Sequence, residues 1–151
     1  MSEFQLRQAV ASDAAAIREL TRTAYAKWVK LIGREPKPMT ADYDVAVRNH
    51  RFDLLSVDGK LAALIETIVQ PDHLLIENVA VLPEYQGRGL GSKLVAHAES
   101  LAAVAGFKQI RLYTNQRFVE NVELYRKLGY LVDREEHGER GVTVYMSKPI
   151  A

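Results

Sequence analysis

The fold is decided between Val79 and Gly91, where the chain reads Val79-Ala80-Val81-Leu82-Pro83-Glu84-Tyr85-Gln86-Gly87-Arg88-Gly89-Leu90-Gly91. An apolar run that begins at Leu74 ends at Pro83, which predicts a central strand covered on both faces. Three alternate glycines follow, and an apolar stripe at helical spacing then continues to Gly106. The stretch therefore predicts a strand, a glycine-rich turn and a helix that packs on the sheet.

The turn from Gln86 to Gly91 has the properties of an anion-binding site. Glycines leave backbone amides open to close approach by a ligand. The first amides of the next helix lack intrahelical acceptors, and the helix dipole adds positive charge, so a pyrophosphate is stabilised there without a dedicated lysine. We expect Arg88 to add a charge contact. The alternative is a merely flexible turn, but the well-marked strand and helix around it favour the anion site.

Two common nucleotide motifs do not match this turn. A P-loop requires Gly-Lys-Ser/Thr after four intervening residues, and the dinucleotide fingerprint requires glycine where Ser92 stands. The spacing therefore excludes both.

The rest of the chain predicts one mixed α/β layer structure with the order β-α-α-β-β-β-α-β-α-β-β. Strands are predicted at Phe4–Arg7, at Phe52–Val57 and Leu61–Val69 around an Asp58-Gly59 hairpin turn, at Leu74–Val81, at Gln109–Tyr113, and at Tyr130–Val132 and Val142–Met146 around a His137–Arg140 turn. Helices are predicted from Ser12-Asp13 to Gly33, from a Thr40 cap to about Asn49, from Leu90 to Gly106 and from Val119 to Leu128, with a loop at Arg34–Pro38.

Composition narrows the class of protein. The 151 residues, 48% of them hydrophobic, predict one domain over residues 1–151. Twenty basic and 19 acidic residues argue against nucleic acid as a partner. The chain has no cysteine, no signal-peptide pattern and no apolar stretch that could span a bilayer, so we expect a soluble, cytoplasmic protein without a membrane partner.

Neither a metal site nor a serine hydrolase is predicted. His50, His73, His97 and His137 are scattered, and no pair has the spacing of a helical zinc site. Ser92 lacks the context of a nucleophile elbow.

The segment Gln86-x-x-Gly89-x-Gly91 resembles the Arg/Gln-x-x-Gly-x-Gly/Ala signature of the GNAT superfamily of acetyl-CoA-dependent N-acetyltransferases. The element order resembles that family from Glu3 to Lys148, and the specific motifs lie between Glu77 and Tyr130. The resemblance implies a three-layer α/β fold whose mixed, mostly antiparallel central sheet is splayed at the coenzyme site.

The resemblance also implies how acetyl-CoA is held. The turn amides bind the pyrophosphate, the strand before the turn pairs with the pantetheine arm, and an amide near Val81 bonds the thioester oxygen. Many members place an asparagine where Phe118 stands here, so Asn121 or Asn115 is expected to replace it. The candidate coenzyme-binding residues are Val79, Ala80, Val81, Gln86, Gly87, Arg88, Gly89, Leu90, Gly91, Asn115, Asn121 and Tyr125.

Tyr125 is the candidate general acid. Its segment, Leu124-Tyr125-Arg126-Lys127-Leu128-Gly129-Tyr130, resembles the family's Leu-Tyr-x-x-x-Gly-Phe/Tyr segment, whose tyrosine lies near the coenzyme sulfur. A phenol with a pKa of about 10 keeps its proton at neutral pH and can give it to a thiolate. The alternative is a core tyrosine, since Val122, Tyr125 and Leu128 share a helical stripe.

Glu77 is the candidate general base, because a carboxylate inside an apolar strand is costly unless it has a partner or a function. Strand alternation predicts that Glu77 shares a face with Val79 and Val81, near the reacting centre. A structural ion pair is the alternative interpretation of Glu77, and a water molecule is the alternative base.

The acceptor is expected to bind at the first two helices, with Tyr25, Trp28, Met39 and Tyr43 as candidates; aromatic residues at helical spacing are also typical of a core. The resemblance implies direct acetyl transfer to a primary amine of a small molecule or peptide, and the absence of cysteine agrees with transfer that has no covalent acetyl-enzyme. A non-catalytic acyl-CoA sensor or interaction module is the alternative. Edge strands are available for pairing with a second copy of the chain, so a homodimer is consistent with the sequence.

Overall fold

The computed structural model describes residues 2–139 and 141–150. Its helices are α1 (Ala14–Ile32), α2 (Lys37–Thr40), α3 (Tyr43–Asn49), α4 (Leu90–Val104) and α5 (Val119–Lys127). Its strands are β1 (Phe4–Gln8), β2 (Arg51–Val57), β3 (Lys60–Val69), β4 (Leu74–Val81), β5 (Gln109–Asn115), β6 (Leu131–Gly138) and β7 (Gly141–Pro149).

The seven strands form one sheet in the order β1-β2-β3-β4-β5-β7-β6. Only the β4–β5 pair is parallel among the described residues, and the other neighbours are antiparallel. The predicted mixed, mostly antiparallel α/β sheet is therefore confirmed. The Asp58-Gly59 hairpin is also confirmed, since both residues have positive φ and join β2 to β3.

Two apolar clusters cover the two faces of the sheet. On one face, α4 packs through Leu90, Leu94 and Ala98 in a cluster that also includes Tyr125 of α5. On the other face, α1 and α3 pack against the sheet through side chains such as Ile17 and Tyr43. Burial of an apolar stripe on each helix thus produces three layers, with the sheet in the middle.

The second predicted helix is wrong at its start. Thr40 ends the short helix α2 instead of capping a longer one, and α2 occupies part of the predicted loop. The cap of α3 is Asp42, whose carboxylate accepts hydrogen bonds from the amides of Asp44 and Val45 at 3.1 and 3.3 Å. Thr40 and Asp42 are both favoured cap residues, so residue type alone does not distinguish the two possible helix starts.

The carboxyl-terminal hairpin also differs from the prediction. The strand β6 continues through His137 and Gly138, which the sequence pattern had placed in a turn, and Arg140 of that turn lies outside the described residues. Every residue of β6 is exposed, so the strand carries none of the apolar alternation that marks a half-buried strand.

No helix within the described part of the chain is long and apolar enough to cross a membrane.

Candidate active site

The sheet opens between β4 and β5. These strands pair only from Leu74–Ile76 to Ile110–Leu112 and then diverge. The Leu82 amide donates to the Ala62 carbonyl at 2.9 Å. Because backbone groups alternate along a strand, those of Val79 and Val81 point away from β3 and into the opening.

The glycine-rich turn closes one end of this opening. Gly87 and Gly89 have φ of 78° and 79°, a left-handed conformation that side chains strongly disfavour. Gly89 is the N-cap of α4, so the amides of Leu90, Gly91 and Ser92 have no acceptor within the helix. The Gln86 side chain ties the turn to β4 by donating to the Val81 carbonyl at 3.1 Å. The turn thus presents a cluster of amides and the positive end of the helix dipole.

A cleft of about 260 Å³ lies at the opening, bounded by α1, β4, the turn and α5. Most of the predicted coenzyme residues line this cleft, together with two predicted acceptor residues. These residues are Val79, Ala80, Val81, Gln86, Gly87, Gly89, Leu90, Gly91, Asn121 and Tyr125, with Tyr25 and Trp28 from α1.

Tyr125 lies in the wall of the cleft as well as in the core. Its side chain is buried, with the ring edge-on to Tyr130 at a centroid distance of 5.9 Å. Burial raises the pKa of the Tyr125 phenol above its ordinary value. The core and the site interpretations of Tyr125 are therefore compatible, since its ring packs while its hydroxyl keeps its proton.

Lys27 is a cleft residue that the sequence analysis missed. Its ammonium lies 3.2 Å from Gln86 Oε1, 3.2 Å from Glu120 Oε2 and 4.7 Å from the centre of the Trp28 ring. It joins α1 to the turn and to α5 across the mouth of the cleft. A single lysine on a helix gives no sequence signal for such a role, because lysine is common on solvated helix faces.

A second cavity, of about 490 Å³, adjoins the cleft, and Tyr25 lines both. It lies between the α1–α3 segment and the diverging strands. Of the predicted site residues, Tyr43, Glu77 and Asn115 line this second cavity. Further polar residues in its wall are Arg34, Lys37, His50, Glu66, Asn78 and Tyr113.

The predicted orientation of Glu77 is wrong. The β3–β4 pairing passes from Glu66 opposite Asn78 to Thr67 opposite Ile76, so Glu77 is the extra residue of a β-bulge. The bulge interrupts the alternation, and Glu77 joins Asn78 in the second cavity while Val79 and Val81 pack towards α4. A bulge leaves no mark in the apolar pattern, which is why simple alternation failed.

Glu77 is held by two neighbours in this cavity. The Tyr113 hydroxyl donates to Glu77 Oε1, and the Lys37 ammonium lies 3.8 Å from the same oxygen. Burial and the nearby carboxylate raise the pKa of Tyr113 well above its ordinary value, so its hydroxyl is a permanent donor to Glu77.

A second carboxylate in the cavity, Glu66, was also missed. Glu66 Oε2 lies 2.6 Å from His50 Nδ1, and burial raises the pKa of Glu66 while His50 opposes that rise. Glu66 interrupts the apolar strand from Leu61 to Val69 just as Glu77 interrupts its own strand. The same criterion, applied to both strands, finds both carboxylates.

Asn78 and Tyr25 stand where the two spaces meet. The Tyr25 hydroxyl donates to Asn78 Oδ1 at 2.7 Å and lies 3.3 Å from the Val79 carbonyl oxygen. Burial raises the pKa of Tyr25 well above its ordinary value. Asn78 is only 3% exposed, and its Nδ2 has no hydrogen-bond partner among the described residues.

Five predicted residues do not line the cleft: Tyr43 and Glu77, which line only the second cavity, and Arg88, Met39 and Asn115. The Arg88 guanidinium lies over the Tyr85 ring at 5.4 Å and lines neither space. Met39 is buried in the α1–α3 cluster and lines neither space. Asn115 lies in the second cavity, where its Oδ1 accepts from the Arg117 amide at 2.8 Å.

The splayed sheet, the amide-lined turn and the adjoining cavity define an α/β protein with a candidate site for an extended, anionic ligand. Residues 14 to 130 match the sequence model of the Acetyltransferase (GNAT) family, and the chain belongs to that family. The resemblance on which the sequence analysis relied is thereby confirmed.

Individual relatives carry several names. The chain is 28% identical over 160 residues to S-alkylcysteine N-acetyltransferase of Bacillus subtilis (strain 168), covering 96% of this chain and 89% of that protein. It is 31% identical over 101 residues to spermidine N(1)-acetyltransferase of Escherichia coli (strain K12), covering 62% of this chain and 52% of that protein. The chain thus spans about half the length of the latter relative.

A solved structure has the same fold. PaiA N-acetyltransferase from Thermoplasma acidophilum, in complex with coenzyme A, superposes with a TM-score of 0.78 at 19% identity, covering 97% of this chain and 99% of that chain.

Proposed function

We propose that this protein transfers the acetyl group of acetyl-CoA directly to a primary amine. The observation that carries the proposal is the meeting of two spaces at Tyr25: a cleft lined by backbone amides and a cavity that contains carboxylates. The names of the relatives, all N-acetyltransferases, support the same reaction class.

The hydrogen-bonding groups of the cleft suit the chemical groups of the coenzyme. The amides of the turn and the first turn of α4 would hold the pyrophosphate, because they are donors with no helical acceptor. The backbone of Val79 and Val81 would pair with the extended pantetheine arm as an added strand. Acetyl-CoA supplies an activated acetyl thioester when it is bound.

Glu77 is the proposed general base. An amine must lose a proton to become a product amide, and the Glu77 carboxylate faces the cavity from the strand that also bounds the cleft. Tyr113 fixes its orientation through the hydroxyl hydrogen bond. A water molecule held by Glu77 would serve the same purpose at longer range.

Tyr125 is the proposed general acid. Its raised pKa keeps a proton on Oη throughout the neutral range, and that hydroxyl is available to protonate a leaving thiolate in the cleft. The backbone amides of Val79 and Val81 face the same opening and would stabilise negative charge on an acyl oxygen.

Replacement of Tyr125 by phenylalanine tests the acid. We expect Tyr125→Phe to bind coenzyme A as the parent protein does and to lower kcat by about 100-fold or more, because proton transfer contributes on that order. The measurements are calorimetric titration with coenzyme A and release of free coenzyme A across a broad panel of amines.

Tyr130→Phe is the matched control, because Tyr130 is also buried and bonded, to Glu99 at 2.9 Å, yet lines no part of the cleft. Its kcat should stay within about twofold of the parent value, since Tyr130 has no place in the proposed proton transfer. Coenzyme binding without acetyl transfer to any amine of the panel would contradict the proposal and favour a coenzyme sensor.

A further inference from the structure

The β-bulge in β4 gives the second cavity two neighbouring side chains of different chemistry. Because Glu77 is the extra residue, Glu77 and Asn78 follow each other in sequence and still line the same cavity. We propose that they recognise an α-amino carbonyl compound as the acetyl acceptor: an amine whose adjacent carbon carries a carboxylate or an amide. This inference rests on the proposed function.

The position of the Lys37 side chain indicates where the ammonium group of an acceptor would bind. The Lys37 ammonium lies 3.4 Å from the Tyr113 hydroxyl, 3.8 Å from Glu77 Oε1 and 5.8 Å from the centre of the Tyr113 ring. An aliphatic primary ammonium therefore already fits against this carboxylate and phenol. The Lys37 side chain is 76% exposed and its contacts are long, so an incoming ammonium group displaces it readily.

The oxygen half of the site is Asn78 Nδ2. The Asn78 side chain is buried and its Oδ1 is already occupied by the Tyr25 hydroxyl, whereas Nδ2 is a buried donor without a partner in the described chain. A buried donor in this state costs free energy until a ligand supplies an acceptor atom. A carbonyl or carboxylate oxygen supplies that atom, but a plain alkylamine or a diamine does not.

One small group would occupy both halves of the site. In an α-amino carbonyl compound the nitrogen and the oxygen are carried by adjacent carbons, and here their partners are adjacent residues. The rest of the cavity wall includes Ile32, Pro36, Pro38 and Phe118, which suits an apolar substituent on the α-carbon. Once displaced, Lys37 remains at this wall and can pair with a free carboxylate.

The test compares L-leucinamide with 3-methylbutylamine, which has the same side chain but no carbonyl group. We expect kcat/KM for L-leucinamide to exceed that for 3-methylbutylamine by about tenfold or more, because the plain amine leaves Asn78 Nδ2 unpaired. In Asn78→Asp the ratio should fall by about tenfold from its parent value, since the aspartate keeps an acceptor for Tyr25 but loses the donor. Asn49→Asp, at an exposed position outside the cavity, should keep the parent ratio.

Calorimetric binding in the presence of coenzyme A separates this inference from the proposed function. Preferential binding of L-leucinamide without turnover of any amine would support the acceptor site and overturn the proposed reaction. Turnover of both amines with equal kcat/KM, or an equal loss for both in Asn78→Asp, would overturn the acceptor site and leave the reaction standing. If Asn78→Asp does not fold, Asn78→Ser and the binding preference of the parent protein decide the question.

A comparison of L-leucine with L-leucinamide shows whether the site prefers a carboxylate or an amide next to the amine. A preference for L-leucine that is lost in Lys37→Met identifies a free amino acid as the acceptor. A preference for L-leucinamide identifies the first residue of a peptide. Either result supports the α-amino carbonyl site, and failure of both ligands to bind better than 3-methylbutylamine overturns it.

Discussion

At the scale of single residues, the conformation of Gly89 carries both stability and ligand binding. In Gly89→Ala the positive φ is strained by about 1 kcal/mol, and relaxation of the turn redirects the amides of Leu90 and Gly91. We expect coenzyme A to bind about tenfold more weakly, which corresponds to roughly 1.4 kcal/mol. The measurements are calorimetric titration and chemical unfolding.

Gly33→Ala is the control for this prediction. Gly33 has nearly the same φ, 76°, at the end of α1, and like Gly89 it has open space where a Cβ atom would stand. The two variants should lose similar free energy of unfolding, while only Gly89→Ala weakens coenzyme binding. Equal coenzyme affinity in both variants would remove the turn from the site.

Residues whose role depends on the backbone were the most predictable. The glycines of the turn follow from local chemistry, whereas the position of Tyr125 was implied by the resemblance to the family. The position of the Arg88 side chain did not, because a long side chain can point in several directions and its direction is set by contact with Tyr85. Glu66 could have been predicted, since it carries the same buried-carboxylate signal as Glu77.

At the scale of an element, the start of α3 gives a direct comparison of two candidate caps. We expect Asp42→Ala to lower the free energy of unfolding by about 1 kcal/mol, because the amides of Asp44 and Val45 lose their acceptor. Asp42→Asn should be nearly neutral, since asparagine caps equally well. Urea unfolding of the variants provides the measurement.

Thr40→Ala serves as the control, because the Thr40 hydroxyl donates to the Lys37 carbonyl, at 3.1 Å, within the short helix α2. Its effect should stay below that of Asp42→Ala. A larger loss of unfolding free energy in Thr40→Ala than in Asp42→Ala would contradict Asp42 as the cap and favour the helix start predicted from the sequence.

Elements whose apolar residues recur at a regular spacing were predicted well. Features that depend on pairing with a neighbouring strand were not. The strand β4 was predicted from its apolar run, but its bulge at Glu77 exists only in the register with β3. The strand β6 lacks any buried residue, and its pairing with β7 alone defines it. Both features depend on hydrogen bonds to a second strand, which a single-strand pattern does not encode.

At the scale of the whole molecule, a pair of charges links the edge strand β1 to the start of α1. Arg7 makes two hydrogen bonds to Asp13, at 2.9 and 2.8 Å, and holds the pKa of Asp13 at about 2, below its ordinary 3.8. Because the folded-state pKa is lowered, the pair stabilises the protein above about pH 4. That stability is lost as the pH falls from about 4 to about 2.

Asp13→Asn tests this dependence on pH. We expect the free energy of unfolding to fall by about 1 to 2 kcal/mol near pH 7, a reduced value because Arg7 is 58% exposed and partly screened. Towards pH 2 the variant and the parent protein should converge. Asp44→Asn, which removes an exposed pair with Arg18, should have a smaller effect at neutral pH.

The meeting of the cleft and the cavity could not be predicted from any local pattern. It depends on Tyr25 of α1 reaching Asn78 of β4, a contact between residues 53 positions apart. The resemblance to the family placed Tyr25 among the acceptor residues because of its helix, but its position between the two spaces results from how α1 crosses the splayed sheet.

The short β4–β5 ladder has a consequence for the motion of the backbone. The strand β3 has neighbours on both sides, whereas the Val79 and Val81 amides face an open gap. Deuterium should therefore enter at Val79 and Val81 faster than at Leu64 and Ile65, and coenzyme A should slow that uptake by completing the ladder. Hydrogen exchange measured by NMR would show this, and uptake unchanged by coenzyme A would contradict it. If coenzyme A does slow the uptake, the ligand occupies the gap between β4 and β5 as an additional strand and hydrogen-bonds to the β4 backbone.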